Sequence, residues 1–286
     1  MKALGHYIKF GLEMGCKKVA VALSVYKTDD IDHLHQAIES IKNQTYINFH
    51  VFIQVDGPVK VEVEQLLQKY DLDDRFTITF NRENMGLAKR LNDIIELAIL
   101  DGGFGFFARM DADDICELYR FEKQVAYLED NHDVDVLGSD VWEISSSGEK
   151  VFYKSMSSSH RDLVRDIIKK CPFNHPSVMF RMSVFDENFR YKSELMNTQD
   201  YYLWIDLIEG GKIFSNINEP LLNFRINDDF HNRRGFKKAF NDLDSRLYAF
   251  KKLNNLNVSN LFHTIALFIL RISPPSIKKL AYKKLR

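Results

Sequence analysis

Three carboxylates crowd into four positions at Asp111, Asp113 and Asp114, within Arg109-Met110-Asp111-Ala112-Asp113-Asp114 and directly after the apolar run Phe104 to Met110. Like charges held this close penalise one another's ionisation, and a bound cation relieves the penalty. Hard oxygen ligands of this kind suit Mg2+ or Mn2+, which grip phosphate oxygens while using few protein carboxylates. A second reading is equally open: an Asx turn capping the helix that starts near Glu117.

Four further segments carry side chains with chemical potential. Asp56-Gly57-Pro58 follows FHVFIQV, where an Asp at a strand end accepts hydrogen bonds from a ribose or a base N–H, or simply shapes a turn. In Asn81 to Asn92, Gly86 opens a helix whose first turns carry Lys89 and Arg90. Helix N-termini and basic groups attract phosphates, while an N-cap by Asn84 with solvated basic residues fits the same pattern. Asp200, after Thr198 and Gln199 and among Tyr201, Tyr202 and Trp204, is either a dipole partner in a first helical turn or a general base near a reacting hydroxyl. His175 precedes Pro176 and is held extended, lining a pocket or closing a strand.

The elements that must position these groups read as alternating strands and helices. Val19–Val25, Phe49–Val55, Phe76–Phe80 and Phe104–Met110 are short apolar runs, and Asp30–Gln44, Val61–Tyr70 and Gly86–Leu100 have helical spacing. Such alternation predicts an α/β fold with a mostly parallel central sheet covered on both faces. Ligands then bind outside the carboxyl ends of the strands, which gathers Ser24 to Lys27, Asp56-Gly57 and Asp111 to Asp114 into one crevice. Beyond it the pattern predicts a helix over Glu117–Asn131, a strand over Val134–Trp142, a turn over Ser145–Gly148, and helices over His160–Lys170 and Asn197–Gly211.

Composition narrows the class. The 286 residues are 45% hydrophobic, with a net charge of -1 that indicates no polyanionic partner such as nucleic acid. Six of the 39 basic residues fall after Val258, where there is no acid, leaving 33 basic against 40 acidic residues before it. Leu261 to Leu270 is apolar but too short to span a bilayer; Ile277, Leu280, Ala281 and Leu285 follow at helical spacing among lysines. An acidic body with a basic, amphipathic tail predicts contact with an anionic membrane surface. Cys16, Cys116 and Cys171 form neither a CxxC pair nor a disulfide framework, and no apolar signal opens the chain. A reducing, cytoplasmic setting on the inner face of the membrane is expected.

Taken together, LSVYK, the VDGP turn, NRENMGLAKRLN, ARMDADDICELYRFEKQVAYLE, HPSVMFR and QDYYLW resemble, in order, the family 2 glycosyltransferases with the GT-A fold. The variants are most similar to bacterial enzymes that build O-antigen, capsule or exopolysaccharide. The resemblance implies a catalytic domain over 1–229, with a nucleotide-sugar half at about 19–114 and an acceptor half at about 115–229, then a helical extension over 230–286. It implies that Ser24, Tyr26 and Asp56 hold a uridine and that Lys89 or Arg90 lies near the base or the phosphates. Asp111 would sit by the ribose of the nucleotide and the metal, Asp113 would ligate that divalent metal, and Asp200 would be the base of an inverting transfer. His175, Gln199 and Trp204 would face the acceptor, a saccharide carried on lipid. Two alternatives are a nucleotidyltransferase, which should carry a glycine-rich loop that LSVYKTDD lacks, and a non-catalytic sugar-binding module, which leaves the carboxylate cluster without a purpose.

Overall fold

The computed structural model describes residues 17–195, 197–226 and 236–273. Cys16, the 227–235 segment and the basic stretch from Pro274 to Arg286 lie outside them.

The first half is built as the alternation predicts. Strands β1 (Lys18–Val25), β2 (Phe49–Val55), β3 (Phe76–Phe80) and β4 (Phe104–Met110) lie in the order β3-β2-β1-β4, all parallel. Helices α1 (Ile31–Lys42), α2 (Val61–Tyr70) and α3 (Leu87–Asp101) connect them. In β1, Val19, Val21, Leu23 and Val25 face one apolar layer with Leu34, Ile38 and Ile41 of α1, while Ala20 and Ala22 face a second with Leu91, Ile94 and Ile95 of α3. Burial on both faces accounts for the unbroken apolar run in the sequence. Asp30 starts α1 by accepting from the amides of Asp32 and His33.

After Asp114 the sheet becomes mixed. Strands β5 (Ile115–Cys116), β6 (Val136–Ile144), β7 (Lys150–Lys154), β8 (Met179–Arg181) and β9 (Phe214–Arg225) continue it in the order β4-β8-β6-β9-β5, with β7 beside β6. β8 runs antiparallel to both β4 and β6, whereas β6 and β9 are parallel with register shifts around Asp140. Helices α4 (Arg120–Asp130), α5 (His160–Asp166), α6 (Ser183–Asp186) and α7 (Gln199–Glu209) surround this half, and the chain then forms α8 (Phe236–Leu253) and α9 (Val258–Ile272). The helix expected from Glu117 begins at Arg120, because Ile115–Cys116 pairs with β9 first. α8 braces α7: Tyr248 stacks near Tyr202 at 4.8 Å and donates to Asp206, and Lys252 reaches Glu209 at 2.6 Å.

Candidate active site

The strand register brings the polar strand ends level. Leu23 pairs with Met110, which sets Ser24 beside Asp111, and Val25 pairs with Val55, with the Asp56 amide donating to the Val25 carbonyl at 2.7 Å. One crevice therefore receives β1, β2 and β4 ends, as the fold rule requires.

Asp111, Asp113 and Asp114 each offer a carboxylate oxygen within 4.8 Å of the others. Asp114 is fully buried; its Oδ1 accepts from the Arg225 amide at 2.8 Å, and its Oδ2 has no hydrogen-bond partner among the described residues. Burial, then the Asp111 and Asp113 charges, push the Asp114 carboxyl well up. Burial and the charge of Asp111 raise Asp113 to about 6. A fourth carboxylate, Asp29, joins from the turn after β1: it accepts from the Tyr26 amide at 2.7 Å and is raised to about 6 by burial, with Asp113 and Asp111 adding to the rise. An orphaned buried oxygen among mutually repelling carboxylates fits a hard divalent cation, and the donor set is all oxygen. Asp111 and Asp113 are the more accessible of the three and would hold the ion.

Two arginines frame the cluster. Arg225, at the end of β9, donates from Nε to the Asp113 carbonyl at 2.8 Å and from Nη1 to the Ser146 carbonyl at 2.8 Å, which ties the Asp113-Asp114 turn to the β6–β7 connection. Arg109 is 2% exposed and ion-paired with Asp111. Its Nε and Nη1 have no hydrogen-bond partner among the described residues. Sequence reasoning passed over Arg109, Arg225 and Asp29. For Arg109 a signal was present: a permanently charged side chain inside the buried run FGFFARM is costly unless a partner repays it.

Asp200, from the other half of the chain, is near enough to Arg109 and Asp111 to feel their charges. Thr198 adopts a left-handed φ of 62° immediately before α7, which sets Asp200 in the first turn. Burial raises the Asp200 carboxyl above the ordinary range; the Tyr201 amide and the charge of Arg109 pull it down, and Asp111 adds repulsion. Asp200 and the Asp111 cluster thus share the field of one buried guanidinium. His175, in a single 3-10 turn at His175–Ser177, hydrogen-bonds through Nε2 to the Tyr191 hydroxyl at 2.9 Å. Burial, and after it Arg109, hold its ring well below the usual pKa, so it is neutral at pH 7. Gln199 lies next to Asp200 with a buried, unpartnered Oε1 among the described residues. Trp204, expected to face the acceptor, is instead fully buried: it stacks on Phe180 at 5.7 Å and meets Phe173 edge-on at 4.9 Å. With Tyr201, Leu203, Ile205 and Leu207 it belongs to the buried side chains of α7.

On the nucleotide side, Ser24 and Tyr26 stay partly accessible at the β1 end. Asp56 is 3% exposed and its oxygens take four donors from the chain: the Met85 and Gly86 amides at 2.8 and 2.9 Å, Asn84 Nδ2 at 2.9 Å and Arg90 Nε at 2.7 Å. Gly57, at φ 85°, lets this turn approach the 84–86 loop, since a Cβ there would sit 3.0 Å from the Asn84 nitrogen. Arg90 spends its remaining nitrogens on Asp93 and the Glu83 carbonyl, so it is buried behind the loop rather than turned to a phosphate. Lys89 is half exposed and paired with Asp93.

Residues 21–189 match the family described as Glycosyl transferase family 2. An O-antigen biosynthesis glycosyltransferase of Escherichia coli, WbnJ, is 30% identical over 239 residues, covering 82% of this chain and 88% of its own. A UDP-Gal:alpha-D-GlcNAc-diphosphoundecaprenol beta-1,3-galactosyltransferase of the same species is 28% identical over 274 residues, covering 93% and 96%. Among solved structures, S. aureus TarS 1-349 in complex with UDP-GlcNAc superposes with a TM-score of 0.62 at 15% identity, over 92% of this chain and 83% of that one, which establishes the GT-A fold. With half the chain matched by the family and the carboxylate cluster standing at the end of β4, the chain belongs to the family 2 glycosyltransferases and is a glycosyltransferase.

Proposed function

We propose that the protein transfers a sugar from a UDP-sugar to a hydroxyl of a lipid-carried saccharide, with inversion, in the assembly of a bacterial surface polysaccharide. The observation that supports this reading is that Asp200 and Asp111, from opposite halves of the chain, both lie within the electrostatic reach of the buried Arg109, which is ion-paired with Asp111. Asp200 accepts the proton of the acceptor hydroxyl as its oxygen bonds to the anomeric carbon. The bond from that carbon to the diphosphate breaks on the opposite face, and the nucleoside diphosphate leaves. One base and one displacement give inversion. Asp111 and Asp113 would hold a divalent cation, which would neutralise charge developing on the leaving diphosphate. Arg109 holds Asp111 in place and favours the ionised, proton-accepting form of Asp200.

Ser24, Tyr26 and Asp56 mark the uridine end, with Asp56 acting through the Asn84 to Gly86 loop it holds as well as through any contact of its own. Lys89, half exposed, is the basic group on α3 that would approach the phosphates by exchanging its partner Asp93 for them, and His175 and Gln199 border the acceptor. The UDP donor and lipid-carried acceptor are supported by what the galactosyltransferase relative's name states of that protein. The extension after residue 230 would place the enzyme on the cytoplasmic face of the membrane.

The test is isotope transfer from a panel of labelled UDP-sugars in Mn2+, with wild type and Asp200→Asn side by side. Loss of a general base costs on the order of 10²–10⁴ in rate, while calorimetric UDP binding should hardly change. Transfer by the Asn variant at the wild-type rate would remove Asp200 from the role.

A further inference from the structure

The face that α9 turns to the rest of the protein is partly polar, and much of its apolar surface is left outside. Asn257 caps the helix by accepting from the Asn260 amide at 2.9 Å, and Asn260 and Thr264 turn inward, with Phe268 edge-on to Phe240 of α8 at 5.4 Å. Asn260 and Thr264 are each 4% exposed, and Arg271 pairs with Asp242 of α8 at 2.8 Å. On the opposite side, Val258, Leu261, Phe262, Ile265, Ile269 and Ile272 recur at helical spacing and all face solvent; Val258 is 86% and Phe262 73% exposed. A helix on the surface of a water-soluble domain normally does the reverse, burying the apolar stripe and wetting the polar one.

We infer that this outer face of α9 is a membrane-docking surface that lies in the interface of an anionic leaflet. The inference deepens the membrane placement proposed above and rests on it. Charge decides the occupant. The chain continues from α9 into Lys278, Lys279, Lys283, Lys284 and Arg286 with no acidic residue, while the body before Val258 is acidic overall. A second copy docked on the same face would bring two basic segments together. An anionic lipid surface instead attracts the segment and repels the body, which leaves α9 as the part that sinks in. No described helix is long and apolar enough to cross a membrane, so the helix lies on the leaflet rather than through it. Because α8 is packed between α9 and α7, docking would also fix the orientation of the helix that carries Asp200.

The experiment is co-sedimentation of the full chain with phosphatidylcholine vesicles containing a quarter phosphatidylglycerol, alongside pure phosphatidylcholine vesicles. The double variant Phe262→Glu, Ile265→Glu alters only solvent-facing side chains, and an unchanged melting temperature verifies its fold. A third variant, Lys278→Gln, Lys279→Gln, Lys283→Gln, Lys284→Gln, keeps α9 and removes tail charge. The expected result is binding of wild type to the anionic vesicles only, a drop of about a hundredfold or more in partition for the Glu variant, and a smaller, salt-sensitive drop for the Gln variant. Equal binding by wild type and the Glu variant would overturn the α9 face yet leave a tail-driven membrane placement intact. No binding by wild type would overturn both. A wild-type dimer in sedimentation velocity, dissociated by the Glu substitutions and indifferent to vesicles, would assign the face to a second copy.

Discussion

Removing a carboxylate from the cluster should stabilise the metal-free protein while abolishing turnover. Asp113 is the residue to change, as Asp113→Asn. Burial and the neighbouring Asp111 lift its carboxyl from 3.8 to about 6 in the fold. A shift of about two units, at about 1.4 kcal/mol each, sets a ceiling of roughly 3 kcal/mol on the cost of ionising it in the folded state. The side chain keeps some contact with water, and screening reduces that to about 1–2 kcal/mol. The sign follows from proton binding. The folded state holds this proton more tightly than the unfolded chain does, so the cost is absent below pH 4, grows between pH 4 and 6, and is complete above pH 6. In EDTA at pH 7.5, Asp113→Asn should therefore melt about 2–8 °C higher than wild type, at 2–4 °C per kcal/mol for a chain of this size. The two melting temperatures should converge as the pH falls to 4. Saturating Mn2+ should raise the wild-type melting temperature, move the variant far less, and restore activity only to wild type. Scanning calorimetry with and without metal reads all of this. A variant less stable than wild type in EDTA, or stabilised equally by Mn2+, would refute the idea that repulsion among Asp111, Asp113 and Asp114 is relieved by a cation.

Arg109→Gln removes the charge that favours ionised Asp200, whose carboxyl burial already raises. The acid limb of the kcat/KM–pH profile should move to higher pH, and an unmoved limb would detach Arg109 from the base. Asp56→Ala takes from the buried Arg90 one of its two carboxylate partners, Asp93 remaining, at a cost of about 1.5–3 kcal/mol, seen as a lower urea midpoint. A wild-type midpoint with lost UDP binding would instead assign the carboxylate wholly to the nucleotide.

The first half of the molecule was legible because its signals are local. β2 and α2 have the limits that apolar runs and helical spacing indicate, since a strand buried on both faces is written as an uninterrupted apolar segment. β9 was not legible: FSNINEPLLNFR mixes Asn, Glu and Pro into a strand whose pairing with β6 slips twice near Asp140, so it carries no clean period. β7 and β8 are short and join an antiparallel region that the βα alternation did not announce. Trp204 shows the same limit inside a helix that was anticipated. The family resemblance implied that it faces the acceptor, but its ring is taken up in the core by Phe180, Phe173 and Phe214, partners that come from elsewhere in the chain.

Residue types and their spacing along the chain determined by themselves that an α/β sheet would end in acidic and polar turns, whereas a metal-holding role for Asp113 and a base in Asp200 came only as what the family resemblance implies. Only the tertiary structure decided that Asp200 lies in the field of Arg109 with Asp111, that Asp29 enters the cluster, and that Asp56 and Arg90 are largely spent on each other and on a loop. It also decided which side of α9 faces out: a helical period reports that two unlike faces exist, while the partner that covers one of them is chosen by packing from elsewhere in the chain.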